Sequence, residues 1–149
     1  MKRSTTKGEQ VRDRMSRSVI SVTSDDTLET AIDLLARKKV RELPVVEKGR
    51  LIGIVTDRDL REVAPSYPLF RDTEEIRQHL KRLKVANAMT IDPLVINPEA
   101  PLGEAAEMLL RYQIGSLPVV ENHKVVGILS VSDILKAYIE QNRGCSDEA

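Results

Sequence analysis

The 149-residue chain has no tryptophan, a single cysteine and only 3% aromatic residues. With so few rings, it has little with which to stack nucleic-acid bases. It also lacks an excess of either charge, with 23 Lys and Arg against 23 Asp and Glu. That balance supplies no general attraction to a polyanion or an anionic bilayer, so neither nucleic acid nor a membrane is expected as a partner. Cys145, alone, cannot form an internal disulfide, and nothing implies an oxidising compartment. The charged start MKRSTTKGEQ leads into no apolar stretch of the secretory kind, and no apolar run approaches membrane-span length. With 41% hydrophobic and 31% charged residues, a soluble cytoplasmic globular protein is expected.

Catalytic constellations are missing too. The two histidines, His79 and His123, stand at no zinc or nucleophile spacing from the cysteine. Ser130 and Ser132 lie in no G-x-S-x-G elbow, and no G-x-x-x-x-G-K-[ST] loop occurs. The acidic pairs Asp25-Asp26 and Glu74-Glu75 fit helix starts better than acid–base chemistry. The chain is therefore read as non-catalytic, with no required metal or cofactor.

What is present is a duplication. Shifted by 74, residues 11–61 lie on 85–135 without a gap, with 14 identities in 51 positions. Val11 and Met15 fall on Val85 and Met89, and Leu43-Pro44-Val45-Val46-Glu47 falls on Leu117-Pro118-Val119-Val120-Glu121. Each copy reads β-α-β-β-α. Short strands are expected over Ser18–Thr23 and Pro93–Asn97. Helices follow, carrying Leu28, Ala31, Ile32, Leu35 and Leu102, Ala105, Ala106, Leu109 at i, i+3, i+4, i+7. Asp26 with Glu29 is expected to cap the first, and Pro101 suits the first turn of the second. Hairpins follow: Leu43–Glu47 with Arg50–Val55, and Leu117–Glu121 with Lys124–Leu129.

The expected fold class is α/β (α+β), two such repeats packed as a pseudo-two-fold pair because one alone is small for a core. The repeats are assigned to 11–64 and 85–141, with a linker over 65–84 and flexible ends at 1–10 and 142–149. Within the linker, Ala64-Pro65-Ser66-Tyr67-Pro68 reads as a loop. Thr73–Leu83 reads as an extra helix with Ile76, Leu80 and Leu83 on one face and Asp72 or Thr73 as its cap.

Two stretches end the hairpins: Thr56-Asp57-Arg58-Asp59 and Ser130-Val131-Ser132-Asp133. A hydroxyl followed three places on by a carboxylate is a helix-capping pattern. A helix start also presents free N–H groups that favour phosphate, and a carboxylate beside it suits a vicinal diol.

Together, Met15, LPVVE, GIVTDRDL, IGSLPVVE and VVGILSVSDIL resemble the tandem CBS-domain family, the Bateman module, over about Val11 to Glu140. The stretch TDRDLREVAPSYPLF is similar to stand-alone bacterial CBS pairs and to the N-terminal part of acetoin-utilisation-type proteins. The resemblance implies a regulatory sensor of adenine nucleotides or adenosyl ligands (AMP, ADP, ATP or S-adenosylmethionine). It implies clefts between the repeats, a homodimer, and modulation of an unidentified regulated protein. Magnesium is implied only alongside a polyphosphate. The alternative is a structural dimerisation module with vestigial clefts. The implied first site comprises Ile20, Arg41, Pro44, Thr56, Arg58 and Asp59; the second comprises Leu94, Ser116, Pro118, Ser130, Ser132 and Asp133. In the second copy Arg41 is replaced by Gly115 and Arg58 by Ser132, so the two sites are expected to be unequal, the first favouring anionic ligands.

Overall fold

The computed structural model describes residues 8–63 and 73–147, with side chains described over 8–63 and 74–143. The chain is mixed α/β. It forms two compact units: a terminal unit, Met1–Val19 with Leu94–Ala149, and a central unit, Ile20–Pro93.

In the central unit, α1 (Leu28–Lys38) buries Leu28, Ala31 and Leu35, the face that the periodicity marks. Its cap differs from expectation by one residue. Thr27 Oγ1 accepts from Thr30 N–H at 3.1 Å, while the Asp26 carboxylate accepts from Thr23 N–H at 2.8 Å and so holds the preceding turn. Strands β1 (Glu42–Glu47) and β2 (Arg50–Thr56) form an antiparallel hairpin. Its two-residue turn places Lys48 at φ 53° and Gly49 at φ 82°, both positive as a type I′ turn requires. Helix α2 (Asp57–Val63) buries Leu60. Helix α3 (Thr73–Arg82) packs as the spacing predicts, with Leu80 buried and Ile76 and Leu83 against the same core. Strand β3 (Thr90–Ile91) pairs with Gly53 and Ile54 of β2. The loop at 64–68, the Asp72 and Thr73 caps and the Cys145 side chain lie outside what is described.

The terminal unit repeats the plan. Helix α4 (Leu102–Tyr112) starts one residue after Pro101, which is its N-cap. Strands β4 (Ser116–Glu121) and β5 (Lys124–Ser130) form the second hairpin, turning through Asn122 at φ 53° and His123 at φ 69°. Helix α5 runs Val131–Asp147, so residues 142–147, expected as tail, continue the helix.

The strands expected over 18–23 and 93–97 are each reduced to one parallel bridge, Val22 to Val45 and Ile96 to Val119. Proline explains this. Val22 N–H donates to Pro44 O at 3.0 Å and Val46 N–H returns to Val22 O at 2.8 Å. The next bond along a parallel ladder needs an N–H at Pro44, which has none; Pro118 stands at the same place in the other copy.

The compact units are out of phase with the sequence repeat. Val11, fully buried, donates its N–H to Ala100 O at 2.9 Å, inside the unit that holds the second repeat's hairpin. Val85, also fully buried, donates to Asp26 O at 2.8 Å inside the unit that holds the first. The methionine that follows each explains a glycine. A Cβ at Gly127 would stand 2.7 Å from Met15 Sδ and 2.8 Å from Ser16 O; at Gly53 it would stand 2.8 Å from Thr90 O and 3.1 Å from Met89 Sδ. The segment that opens each repeat thus seats on the other repeat's hairpin.

Arg14 anchors the first such segment, bonding Glu9 at 2.9 Å and Glu140 of α5 at 2.9 Å. The hydrogen bond from Arg14 is the main cause holding the Glu140 carboxyl below its ordinary value. A depressed folded pKa means that the contact stabilises fully above the unfolded value and is lost as pH falls through the folded one. An NMR titration of Glu140 is expected to show a midpoint below 4.5, returning toward 4.5 in Arg14→Gln.

Candidate functional site

Thr56 ends β2 and α2 begins at the next residue. The two candidate residues form a reciprocal capping box: Asp59 N–H donates to Thr56 Oγ1 at 3.0 Å, and Thr56 N–H donates to Asp59 Oδ2 at 3.0 Å. Asp59 Oδ1 takes no hydrogen bond among the described residues, and the Thr56 hydroxyl donates none. Arg41 is brought beside this box by the backbone, since Asp57 N–H donates to Arg41 O at 2.9 Å. Arg41 and Arg58 are exposed and have no ion-pair partner among the described residues. Asp57, by contrast, is held 2.6 Å from Arg61, one turn on. The local charge left over is therefore positive.

Ile20 is partly buried against the central-unit core, two residues before the Val22 bridge. Pro44 lies fully buried beneath the surface; its carbonyl fixes Val22 rather than facing solvent.

The second copy keeps the box and spends it differently. Ser130 N–H donates to Asp133 Oδ2 at 2.8 Å, and the Ser130 hydroxyl donates to the same oxygen at 3.0 Å. Asp133 N–H returns to Ser130 Oγ at 3.3 Å. The Ser130 hydroxyl hydrogen is thus already used. Val131 N–H donates to Gly115 O at 3.0 Å, repeating the Arg41 link without a cation. Ser116 is buried opposite Ser130 in the hairpin, Pro118 is fully buried, Leu94 is exposed, and Ser132 is exposed at the start of α5. The backbone link from Gly115 and Arg41 to the helix start was not read from sequence; the shared position in the two repeats, just before each β1- or β4-type strand, was its only signal.

Among the described residues, no three His, Cys, Asp or Glu side chains are grouped to hold a metal ion, and no helix is long and apolar enough to cross a membrane.

The model of the CBS domain matches this chain twice, over residues 11–66 and 85–140. The chain belongs to the CBS-domain family. Among solved structures, this CBS pair is similar to an acetoin utilization protein (AcuB) of Vibrio cholerae, with 28% identity and a TM-score of 0.77 over 95% of this chain and 98% of that one. It is similar to CBSX2 of Arabidopsis thaliana in complex with AMP, at 30% identity and a TM-score of 0.76 over 91% and 99% of the two chains. It is also similar to the CBS domain pair of protein MJ0100 in complex with 5′-methylthioadenosine and S-adenosyl-L-methionine, at 25% identity and a TM-score of 0.70 over 87% and 99%.

Proposed function

We propose that this CBS pair is a non-catalytic sensor of an adenine nucleotide or a related adenosyl compound, working as a homodimer that modulates a partner protein. The observation that carries the reading is what the Thr56–Asp59 box leaves unspent. One carboxylate oxygen and one hydroxyl hydrogen remain for a ribose diol, beside two unpaired guanidinium groups suited to phosphate. Similar proteins hold AMP and S-adenosyl-L-methionine, which share the adenosyl group. The second box, with its hydroxyl used and no arginine beside it, suits an uncharged adenosyl group or binds weakly. Magnesium enters only as the companion of a bound polyphosphate.

Isothermal titration of the full chain with AMP, ADP, ATP and S-adenosyl-L-methionine tests the reading. Binding of at least one phosphorylated ligand is expected. Silence toward all four at millimolar concentration sinks it and leaves a dimerisation module with unused clefts.

A further inference from the structure

Met15, Met89 and Met108 are the methionines with described side chains, and the first two stand at the same place in the two repeats. Each lays its sulfur on a bare glycine. A Cβ at Gly53 would stand 3.1 Å from Met89 Sδ and 3.4 Å from its Cγ, and one at Gly127 would stand 2.7 Å from Met15 Sδ. Both glycines are buried, whereas both methionines are partly open to solvent. Each glycine also lies three residues before the hydroxyl of a box, Gly53 before Thr56 and Gly127 before Ser130. A thioether therefore backs the strand that ends in each box.

The contact depends on a sulfur that is apolar and carries nothing on the side facing the glycine. A peroxide changes both. A sulfur lone pair attacks one peroxide oxygen, the S–O bond forms and the O–O bond breaks. The leaving hydroxide takes the proton of the transferred oxygen and departs as water. The sulfur is oxidised by two electrons to the sulfoxide and the peroxide is reduced. The new oxygen is polar and has no room between the sulfur and the β2 backbone, so the sulfur must come off the glycine.

The two positions differ in what else holds them. Arg14, next to Met15, is bonded to Glu9 and to Glu140, at 2.9 Å each. Its counterpart next to Met89 is Ala88, which has no polar side chain. Beyond Met89 the chain pairs with β2 through the two residues of β3, Thr90 opposite Ile54 and Ile91 opposite Gly53. Ile91 is 66% exposed and adds little packing. Thr56 follows Ile54 by two residues on the same strand. We propose that Met89 is a modification site: oxidation to the sulfoxide lifts β3 from β2 and lowers ligand affinity at the Thr56–Asp59 box. Met15 answers less, because Arg14 keeps its segment in place. The effect on affinity rests on the sensor reading above; the effect on β3 stands without it.

Treatment of the full chain with millimolar hydrogen peroxide tests this. Peptide mass spectrometry is expected to find one added oxygen on Met89. Hydrogen exchange is expected to quicken about tenfold or more in β3 and around Gly53 and Ile54, with β4 and β5 changing less. Affinity for AMP, read by calorimetry, is expected to fall about tenfold, and methionine sulfoxide reductase is expected to restore it. Met89→Leu keeps the apolar volume, so it is expected to bind AMP as the unaltered chain does and to keep that affinity under peroxide. Met15→Leu is expected to stay sensitive. Met89 left unoxidised while free methionine in the same solution is fully converted overturns the proposal. So does oxidised Met89 with unchanged exchange in β2 and β3, or a Met89→Leu chain that responds to peroxide as the unaltered one does. Quickened exchange with unchanged AMP affinity overturns the link to the box. Should the untreated chain bind neither AMP nor the other three ligands above, the sensor reading falls, and the exchange measurement alone decides whether oxidised Met89 releases β3.

Discussion

Replacing Asp59 with alanine is expected to weaken binding of a phosphorylated adenine ligand by about 30- to 100-fold, the size of losing charge-assisted hydrogen bonds worth about 1.5–3 kcal/mol. Asp133→Ala is expected to cost the same ligand less than about fivefold, well under 1.4 kcal/mol. The contrast follows from how the boxes are spent. Both aspartates keep Oδ1 free among the described residues; Asp59 stands beside a threonine whose hydroxyl hydrogen is unused and near Arg41 and Arg58, whereas Asp133 faces a serine whose hydroxyl already donates to it and has no arginine at either matching position. Asp59 is also half of a cap, so its removal lowers helix stability by about 1 kcal/mol. Asp59→Asn separates the two roles, since the amide oxygen can still accept from Thr56 N–H. It should restore the melting temperature while recovering only part of the affinity. Calorimetric titration of the three variants beside the unaltered chain decides the matter, and equal losses for the two aspartates would remove the inequality of the sites.

Val11→Asp is expected to open the terminal unit and spare the central one. Val11 is fully buried, and the terminal unit offers its side chain a cluster of Ile96, Leu117, Val119 and Leu129. A carboxylate placed there is desolvated without a partner, a loss expected to exceed about 4 kcal/mol. Hydrogen exchange should then show protection lost in β4 and β5, the second repeat's hairpin, and kept in β1 and β2. Val85→Asp should do the reverse, because Val85 belongs to the core of Leu28, Leu43 and Val55. Loss of β1 and β2 in Val11→Asp would mean that the opening segment supports its own repeat, contrary to the packing of Met15 on Gly127.

Much of this architecture is legible in the residues because the signals are local. Lys48-Gly49 between two apolar runs reads as a hairpin turn and is one. Ile76, Leu80 and Leu83 mark a helix face and pack as one. The expected strand at 18–23 shrinks to a bridge because the limit lies in its partner, where Pro44 lacks an N–H; nothing in Ser18–Thr23 itself announces that. Thr27 displaces Asp26 as cap because both are good caps one residue apart, and the choice turns on where Asp26 finds a second N–H. The exchange of the opening segments was out of reach for another reason. A period of 74 relates Val11 to Val85 but is silent on which copy either one packs against. At the candidate sites, the missing arginines of the second copy could be read directly. The capture of the Ser130 hydroxyl by Asp133 could not, since Thr56 and Ser130 carry the same group and differ only in how it turns.

The exchanged opening segment has a consequence for wiring. Gly8 and the last turn of α5 both lie in the terminal unit, and the central unit is entered after Val19 and left at Pro93. A domain or dye attached at either end of this chain is therefore tethered to the same unit, the one that holds Ser130 and Asp133. Two end-attached probes would read one half of the molecule twice. A label inserted within residues 20–93 sits in the unit that holds Asp59.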